Sequence, residues 1–492
     1  MTTASRSGAR PAGRARIVLS VVMACQVMVV LTTTVTNLAL PGIAKGLAFS
    51  PTGLSWVLTS NLLAFGGLLL LGGRMGDILG RRRVFLAGIA VFTLGALLVS
   101  TAPSAPVLLT GTTVEGVGAA LAEPTSLALL AISFREGARR DRALALFSTV
   151  AGIGLAGGTI LGGWLALSSW RWALFLDVPI GLLTLAVTAR WVDETERRPG
   201  RFDALGALTS TAGAALLVYA LVHVNAHGWH NHVTVVCLIA ALLLLALFIG
   251  IELRAEQPVL PLQLFRRTYR AVAYLDIFLI GGASAGLFFF LTQLLQNGLG
   301  FTSLRAGFGF LPLAATQFSG SLVAARMLHR ATPRTVVSAG ALLLAAGTLW
   351  LARLTVDAGY TSGVLGPLLL IGAGLGLTIM PLNSAILSDV APAEAGAASG
   401  MEQAALRIGG SIGLAGLLTV AGAQPANPRA PRAQVHAALA HSIAHAFTAA
   451  TVMVAVVIVI SVTLLRPSGM RSSSGPAAPP LHRPDPFDPT LG

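Results

Sequence analysis

The sequence predicts an all-α, polytopic membrane protein with fourteen transmembrane helices, and three observations support this prediction. Of its 492 residues, 54% are hydrophobic and only 11% are charged, and the mean hydropathy is +0.78. Apolar stretches of about 20 residues, the length that crosses a hydrocarbon core, recur from Ile17 to Leu465. Short connections rich in arginine separate these stretches. We therefore expect lipid to surround most of the chain.

Apolar length, charged connections and breaks at Gly or Pro place the individual helices. They are expected near residues 17–40, 54–73, 84–101, 106–131, 143–167, 172–191, 205–223, 233–251, 271–296, 305–327, 336–354, 363–388, 396–421 and 441–465. Six helices form a first group, six form a last group, and two lie between them. Because transporters commonly consist of related halves, this order suggests a transporter. A weak repeat of Gly73–Arg82 in Ala325–Arg334 supports that interpretation.

Five regions follow from this arrangement. We expect a basic N-terminus at residues 1–16, a six-helix bundle at 17–191, a two-helix insert with its loops at 192–270, a second six-helix bundle at 271–465, and a tail at 466–492. The tail is rich in Pro, Ser and Gly, which bury too little apolar surface to fold. It is therefore expected to be disordered.

The net charge of +14 is distributed unevenly between the two sides of the membrane. About 26 of the 33 Lys and Arg residues fall in the termini and in every second connection, against about six in the other connections. Because cytoplasmic loops retain positive charge, we expect a multi-pass protein of the cell membrane with both termini in the cytoplasm. This bias accounts for the charge, so the sequence does not indicate nucleic-acid binding.

A glycine- and arginine-rich motif connects the second and third predicted helices. Its pattern is Gly-x-x-x-Asp-x-x-Gly-Arg-Arg-Arg, formed by Gly73, Asp77, Gly80, Arg81, Arg82 and Arg83. This motif resembles the cytoplasmic loop signature of the major facilitator superfamily. Glycines allow a tight turn, arginines hold the loop at the anionic face of the membrane, and Asp77 can pair with a cation or a helix N-terminus. We expect it to act as a gating loop.

Further stretches are similar to the fourteen-helix drug/proton antiporter branch of that superfamily. They are Trp56–Ala64, Ser169–Gly181 and Pro258–Phe265. The resemblance implies the major facilitator fold, in which two six-helix bundles rock about a central cavity, here with two additional central helices. It also implies secondary active export of amphipathic small molecules, such as drugs or antibiotics, by proton antiport.

Two helices depart from that branch at positions that the resemblance links to proton exchange. Leu31–Pro41 resembles the first-helix motif Leu-Asp-x-Thr-x-x-Asn-x-Ala-Leu-Pro, but Thr32 occupies the acidic position. Thr112–Ala120 resembles the fourth-helix motif Arg-x-x-Gln-Gly-x-Gly-Ala-Ala, but Thr112 replaces the arginine and Glu115 the glutamine. Proton coupling must therefore use other residues or be absent.

The fifth predicted helix carries a glycine motif for helix packing. Gly154, Gly158, Gly162 and Gly163 follow the antiporter signature Gly-x-x-x-Gly-Pro-x-x-Gly-Gly, with Thr159 at the proline position. Small residues let membrane helices approach closely. The kink that a proline would introduce is not expected here.

Ionisable residues within the predicted helices are candidates for proton coupling or substrate binding: Glu115, Glu123, Asp276, Glu402 and Arg407. An ionised side chain at a helix centre costs about 2.5–3.5 kcal/mol on insertion scales, so each should face the bundle interior or water. Glu115 and Glu123 lie about 80° apart around the helix and ~12 Å apart along it, so both can line one cavity. The alternative is a structural role, in which each acid forms a hydrogen bond with a neighbouring helix. Glu402 and Arg407 would then form a structural pair, or Arg407 would instead neutralise an acid on another helix.

Uncharged polar side chains offer further contacts to a substrate. They are Thr32, Thr36, Asn37, Gln296 and Asn297. Hydroxyl groups in membrane helices also bond to their own backbone, so a structural role is the alternative for each.

The sequence predicts neither a cofactor nor an enzyme. It has no Gly-x-x-x-x-Gly-Lys-Ser/Thr phosphate loop and a single lysine, Lys45, which argues against ATP hydrolysis, and no catalytic nucleophile constellation stands out. Cys25 and Cys237 are isolated in apolar stretches, and no acid or Cys accompanies the histidines of residues 223–232, so no metal site is expected. The proton gradient is the expected energy source.

We therefore expect a secondary transporter whose partners are a small molecule, protons and membrane lipids. Uncoupled or inward movement of a small solute is an alternative. A second alternative is a membrane sensor or assembly partner that binds without transport.

Overall fold

The computed structural model describes residues 11–49, 51–133, 157–194, 204–254, 265–328, 330–354, 359–388, 390, 395–422 and 432–465. Within these ranges the chain is helical and contains no strand. The predicted all-α fold is confirmed.

Fourteen helices follow one another in the described residues when Trp170–Trp191, which bends at Leu176, is counted as one. They are α1 (Pro11–Gly46), α2 (Pro51–Leu79), α3 (Arg81–Ser100), α4 (Ala105–Ser133), α5 (residues 157–168), α6 (Trp170–Phe175 with Asp177–Trp191), α7 (Ala204–His227), α8 (His232–Glu252), α9 (Thr268–Gln293), α10 (Ser303–Met327), α11 (Pro333–Ala352), α12 (Leu365–Leu387), α13 (Ala395–Ala421) and α14 (Arg432–Leu464). Short π-helical turns extend α9 at Leu294–Gly298 and precede α12 at Tyr360–Val364.

Eleven helices of the described part are long and apolar enough to cross a membrane. Two others contain shorter apolar segments, Gly53–Leu69 in α2 and Leu208–Leu221 in α7. The remaining helix is α5, of which the structure describes residues 157–168. The chain therefore makes many passes through the membrane.

The first and last helices are longer than their apolar patterns predict. α1 begins at Pro11, inside the region expected as a basic N-terminus, and α14 begins at Arg432 rather than near residue 441. Proline is tolerated in the first turn of a helix. Apolar length marks only the part of a helix that lies in hydrocarbon, so it underestimates the lengths of α1 and α14. The predicted tail lies outside the described residues.

Polar residues in the connections fix where several helices begin. Ser169 caps α6 by accepting from the backbone N–H of Arg171 at 3.2 Å. The amide oxygen of Asn231 caps α8 at 2.9 Å, and the hydroxyls of Thr302 and Thr332 cap α10 and α11 in the same way. Each cap satisfies a backbone donor that the helix leaves unpaired.

The helices form two groups that meet along a seam. In the first group α4 packs against α2 and α3, and α6 packs against α1 and α3. In the second group α12 packs against α10 and α11, and α9 packs against α13 and α14. The two groups contact each other mainly through α2 with α13, and also through α1 with α9 and α10.

The two helices of the insert lie at the edge of this bundle. α7 contacts both α2 and α13, so it covers one side of the seam, whereas α8 packs on α7. Only 11% of the most apolar window of α8 is buried. A helix that is apolar all round and little buried by protein faces lipid. α7 and α8 therefore lie in the middle of the sequence but at the periphery of the helical bundle.

At the end of the bundle opposite the described chain ends, the two groups are in direct contact. The side-chain amide of Gln296, beyond α9, donates to the backbone oxygen of Leu38 in α1 at 3.1 Å. Gly163 of α5 lies against the backbone of Ser303 and Leu304 at the start of α10. The bundle is closed at this end.

Candidate functional site

A cavity of about 220 Å³ lies between the two groups of helices. α1, α2 and α4 line it from the first group, and α9, α10, α12 and α13 line it from the second. The polar and charged lining residues are Thr32, Thr33, Thr36, Asn37, Asn61, Thr112, Glu115, Ser284, Gln317 and Arg407. A largely apolar cavity with a few polar groups at defined positions is typical of small-molecule sites.

Asn37 offers the cavity an unpaired acceptor. Its amide nitrogen donates to the backbone oxygen of Thr33 at 2.9 Å. Its buried side-chain oxygen has no hydrogen-bond partner in the described part of the chain. A buried polar atom without a partner is costly, so a ligand donor is favoured at this point. Thr36 lines the same wall.

Thr112, at the position where the resemblance expects arginine, is held by α2. Its hydroxyl lies 2.8 Å from that of Ser60, and its backbone oxygen accepts from the side chain of Asn61 at 3.2 Å. The position therefore carries no charge and joins α2 to α4. Asn61 and Thr112 both line the cavity.

Glu115 is an acid in the cavity wall of the first group. Its side chain is 2% exposed, and no described residue forms a hydrogen bond with its carboxylate. It interacts electrostatically with Asp177 of α6, which accepts a hydrogen bond from the Thr32 hydroxyl at 2.7 Å. α1, which has Thr32 where the resemblance expects an acid, is thus hydrogen-bonded to an acid on α6.

Arg407 is the cation in the opposite wall, and its partner differs from the expected one. It interacts with Glu123 of α4, across the seam, and its guanidinium lies 4.6 Å from the ring centroid of Phe65. The expected structural pair with Glu402 is wrong, because residues five apart point about 140° apart on a helix. Glu402 is itself close enough to Glu123 to interact with it. The alternative that Arg407 neutralises an acid on another helix agrees with the structure.

Glu123 does not line the described cavity, although it was expected to share one with Glu115. It interacts with Arg407, which does line the cavity, and 8% of its surface is exposed. The eight-residue spacing from Glu115 sets the position of Glu123 along α4. The crossing of α4 with α13 determines that its partner is Arg407. Its link to the cavity therefore runs through Arg407.

Asp276 lies apart from the cavity. It is fully buried, and its carboxylate accepts from the hydroxyl of Ser461 in α14 at 2.7 Å. This geometry favours the structural alternative for Asp276, a hydrogen bond that joins two helices.

Gln296 and Asn297 also lie outside the cavity lining. Gln296 bonds to α1 at the closed end of the bundle, and Asn297 donates to the side-chain oxygen of Gln293 at 2.7 Å. Both side chains therefore serve contacts within and between helices in this structure.

The glycine- and arginine-rich loop, for which the sequence predicts a gating role, is a one-residue turn. Gly73 and Asp77 lie in the last turns of α2, Gly80 has a φ of 104°, and Arg81, Arg82 and Arg83 start α3. A positive φ suits glycine. The side chain of Asp77 lies outside the described part of the structure.

Several contacts of this turn join segments of the first group of helices. Arg82 donates from its side chain to the backbone oxygen of Ala189 in α6 at 2.7 Å, and Arg81 reaches the backbone oxygen of Ala128 in α4 at 3.5 Å. Glu194, which follows α6, accepts from the backbone N–H of Arg82 at 3.2 Å and pairs with Arg83 at 3.4 Å. Glu194 thereby caps α3 from another segment.

Glu194→Ala should lower stability by about 1 kcal/mol, because a lost helix cap costs about that much and an exposed ion pair adds about 0–1 kcal/mol. Thermal unfolding of the purified protein in detergent measures the change. Glu194→Gln, which keeps an acceptor for the Arg82 N–H, should lose less. Equal losses for the two variants would contradict the capping role.

The glycine motif of α5 contacts both groups. Gly158 lies against Thr34 and Leu31, and Gly162 against Val35, so both pack on α1. Gly163 packs on α10, and the backbone of buried Thr159 lies against Gly307 of α10. Gly154 lies outside the described residues. Close approach at these positions agrees with the expected packing role.

Sequence reasoning missed Asp177, Gln317, Asn61 and Ser284. Asp177 had a signal: it is an acid inside an apolar stretch, and such a residue is costly unless it has a partner or a function. The three uncharged residues had no comparable signal, because single amides and hydroxyls occur throughout membrane helices.

Three comparisons with known proteins bear on this site. The sequence profile of the Major Facilitator Superfamily matches residues 22–414. The cephamycin export protein CmcT of Amycolatopsis lactamdurans is 40% identical over 427 residues, which are 85% of this chain and 88% of that protein. The puromycin resistance protein pur8 of Streptomyces alboniger is 37% identical over 452 residues, 91% and 90% of the two chains.

A solved structure shows the same fold. A bacterial homologue of the human lysosomal transporter Spinster, crystallised in an inward-facing and unoccupied conformation, has a TM-score of 0.64 at 14% identity, over 94% of this chain and 98% of that chain. The helical bundle and its cavity between two groups of helices agree with this match. The protein is a multi-pass membrane transporter, not an enzyme, and belongs to the Major Facilitator Superfamily.

Proposed function

We propose that the protein exports amphipathic small molecules, drugs or antibiotics among them, across the cytoplasmic membrane in exchange for protons. The cavity between the two groups of helices carries this proposal. Seven helices from both groups line it in the described part of the chain, so a relative movement of the groups would open it to one side and then to the other.

The lining suits an amphipathic substrate. Apolar side chains such as Leu58, Phe288 and Leu375 provide most of the wall, and Glu115 and Arg407 place opposite charges on opposite sides. The export and resistance functions in the names of the two relatives support a drug or antibiotic as cargo.

Protons and lipids complete the proposed system. The proton gradient would supply the energy, and the acids around the cavity are the groups able to carry protons. The cationic connections would hold both termini in the cytoplasm of a cell-membrane protein.

Efflux from a susceptible host tests the proposal. Cells that express the protein are loaded with ethidium, puromycin or a cephamycin, and retention is measured with and without a protonophore. We expect lower retention than in uninduced cells, and loss of that difference with the protonophore. Export that resists the protonophore would indicate uncoupled transport, increased retention would indicate uptake, and binding of a compound by the purified protein without flux would indicate a sensor.

Asn37→Ala should weaken apparent affinity for a transported compound by between about twofold and tenfold, the value of one hydrogen bond. Asn297→Ala is the matched control, because Asn297 is exposed and bonded to Gln293. Concentration-dependent efflux rates give the affinities. Equal affinities in wild type and Asn37→Ala would remove Asn37 from the substrate site.

A further inference from the structure

We propose that Asp177 and Glu115 form one shared proton site in the wall of the cavity, held in place by the hydroxyl of Thr32. This inference rests on the proposed proton antiport and names the residues that would carry the proton. Asp177 belongs to none of the groups of residues that the sequence motifs singled out for coupling.

The start of α6 fixes the position of Asp177. Ser169 caps the helix, and the buried Trp170 lies against Gly42 and Gly46 of α1. This contact docks α6 on α1. Two helical turns later, Asp177 meets Thr32, which donates to its Oδ2 atom at 2.7 Å.

The side chain of Asp177 is buried, and only one of its two carboxylate oxygens has a hydrogen-bond partner among the described residues. Its side chain is 4% exposed, and its Oδ1 atom is buried without a hydrogen-bond partner in the described residues. Glu115, which lines the cavity, interacts with it electrostatically. Two acids that share an apolar site cannot both ionise without a large cost. Protonation of one acid of the pair removes most of that cost.

The electrostatic interaction of Glu115 is with Asp177, and Arg407, which shares the cavity lining with Glu115, interacts with Glu123. α1 and α3 pack against α6, and their charged residues lie near their ends: Arg14, Arg16 and Lys45 in α1, and Arg81, Arg82 and Arg83 in α3. Arg171, in the first turn of α6, donates to the backbone oxygen of Ala102 at 2.8 Å and lies 4.2 Å from the Trp170 ring centroid. On α4, Glu123 faces Arg407 instead.

Thr32 connects the buried acid to the cavity. Its hydroxyl lies in the cavity lining and bonds to Asp177. A hydroxyl can donate one hydrogen bond while accepting another, so it can pass a proton between cavity water and the carboxylate. A proton would bind the pair when the cavity opens outward and leave it when the cavity opens to the cytoplasm, while substrate moves in the opposite direction. Only O–H bonds form and break.

Asp276 supplies a matched control for this geometry. It too is a buried aspartate that accepts one hydroxyl hydrogen bond at 2.7 Å, from Ser461, and its second oxygen has no hydrogen-bond partner among the described residues. It lacks contact with the cavity. Asp177→Asn and Asp276→Asn therefore make the same chemical change in similar surroundings, and only the first should affect coupling.

The test uses the full-length protein in proteoliposomes with ethidium as the probe. We expect Asp177→Asn to lose accumulation driven by a pH gradient, while ethidium counterflow, which needs no net proton movement, persists. Glu115→Gln should also lose the pH-driven accumulation. Asp276→Asn should retain both activities. Thr32→Ser should retain pH-driven accumulation, and Thr32→Val should reduce it. Unchanged pH-driven accumulation in Asp177→Asn would overturn the inference and leave proton antiport intact.

Infrared spectroscopy separates this inference from the proposed function. The carbonyl band of a protonated, buried carboxylic acid is followed in the purified protein during a pH titration, without transport. A band that titrates in wild type and Asp276→Asn but is absent in Asp177→Asn would support the shared site, even if wild type shows no pH-driven flux and antiport fails. A band that is unchanged in both Asp177→Asn and Glu115→Gln would overturn the shared proton site. Two variants are used so that the test still stands if one of them does not fold.

Discussion

Gly413→Val should leave almost no folded transporter in the membrane. A Cβ atom at Gly413 of α13 would overlap sterically with the backbone of Gly282 in α9. Neighbouring positions are equally close: Gly409 faces the backbone oxygen of Phe278, and Gly281 faces that of Leu406. Backbone atoms cannot move aside as a flexible side chain can, so we expect a loss of at least about 3 kcal/mol, the upper end of the usual cost of overpacking.

Gly416 provides the control for this prediction on the same helix. Among the described residues beyond its own helix turn, none has an atom within 4 Å of the Cβ position of Gly416, so Gly416→Val should fold and transport normally. Size-exclusion profiles of solubilised protein, followed by thermal unfolding, compare the two variants. A monodisperse Gly413→Val protein with wild-type thermal stability would show that α9 and α13 do not need this close crossing.

Arg407→Ala should strongly reduce transport, with a smaller loss of stability than Gly413→Val. It would leave Glu123 beside Glu402 without its cation and would remove the one arginine that the described residues contribute to the cavity lining. Breaking a fully buried pair costs about 3–5 kcal/mol; we expect about 1–3 kcal/mol here, because Arg407 is partly exposed in the cavity. We expect transport to fall at least about tenfold, equivalent to about 1.4 kcal/mol.

Two further variants identify the cause of that loss. Arg305 also stacks on an aromatic ring, 4.1 Å from the centroid of Phe301, but lies outside the cavity lining, so Arg305→Ala should leave efflux unchanged. Combining Arg407→Gln with Glu123→Gln should restore the stability lost in Arg407→Gln, because neither charge is then left alone. Additive losses in the double variant would argue against a coupled pair.

The pair of Arg407 with Glu123 also bears on the transport cycle. It joins α13 of one group to α4 of the other, next to the cavity. Any opening that separates these helices must break the pair or move it. Protonation of Glu123 or binding of a charged substrate near Arg407 would weaken the pair, and this gives a physical link between the cavity and the seam.

The sequence alone determined the number of helices, the family and one wall of the cavity. Apolar length and charged connections are local properties, so fourteen helices follow from reading along the chain. The motif around Thr32, Thr36 and Asn37 and the acid Glu115 were recognised from residue order, and all four line the cavity.

Only the tertiary structure decided which charged groups meet. Thr32 and Asp177 are 145 positions apart, and Glu123 and Arg407 lie on helices of different groups, so no helical period relates either pair. Their contacts depend on how helices cross, and glycines that let backbones touch set those crossings. The place of α7 and α8 at the edge depends on the same packing. A sequence pattern fixes which side of a helix is polar, but the neighbour that faces this side is fixed only when the helices are packed together.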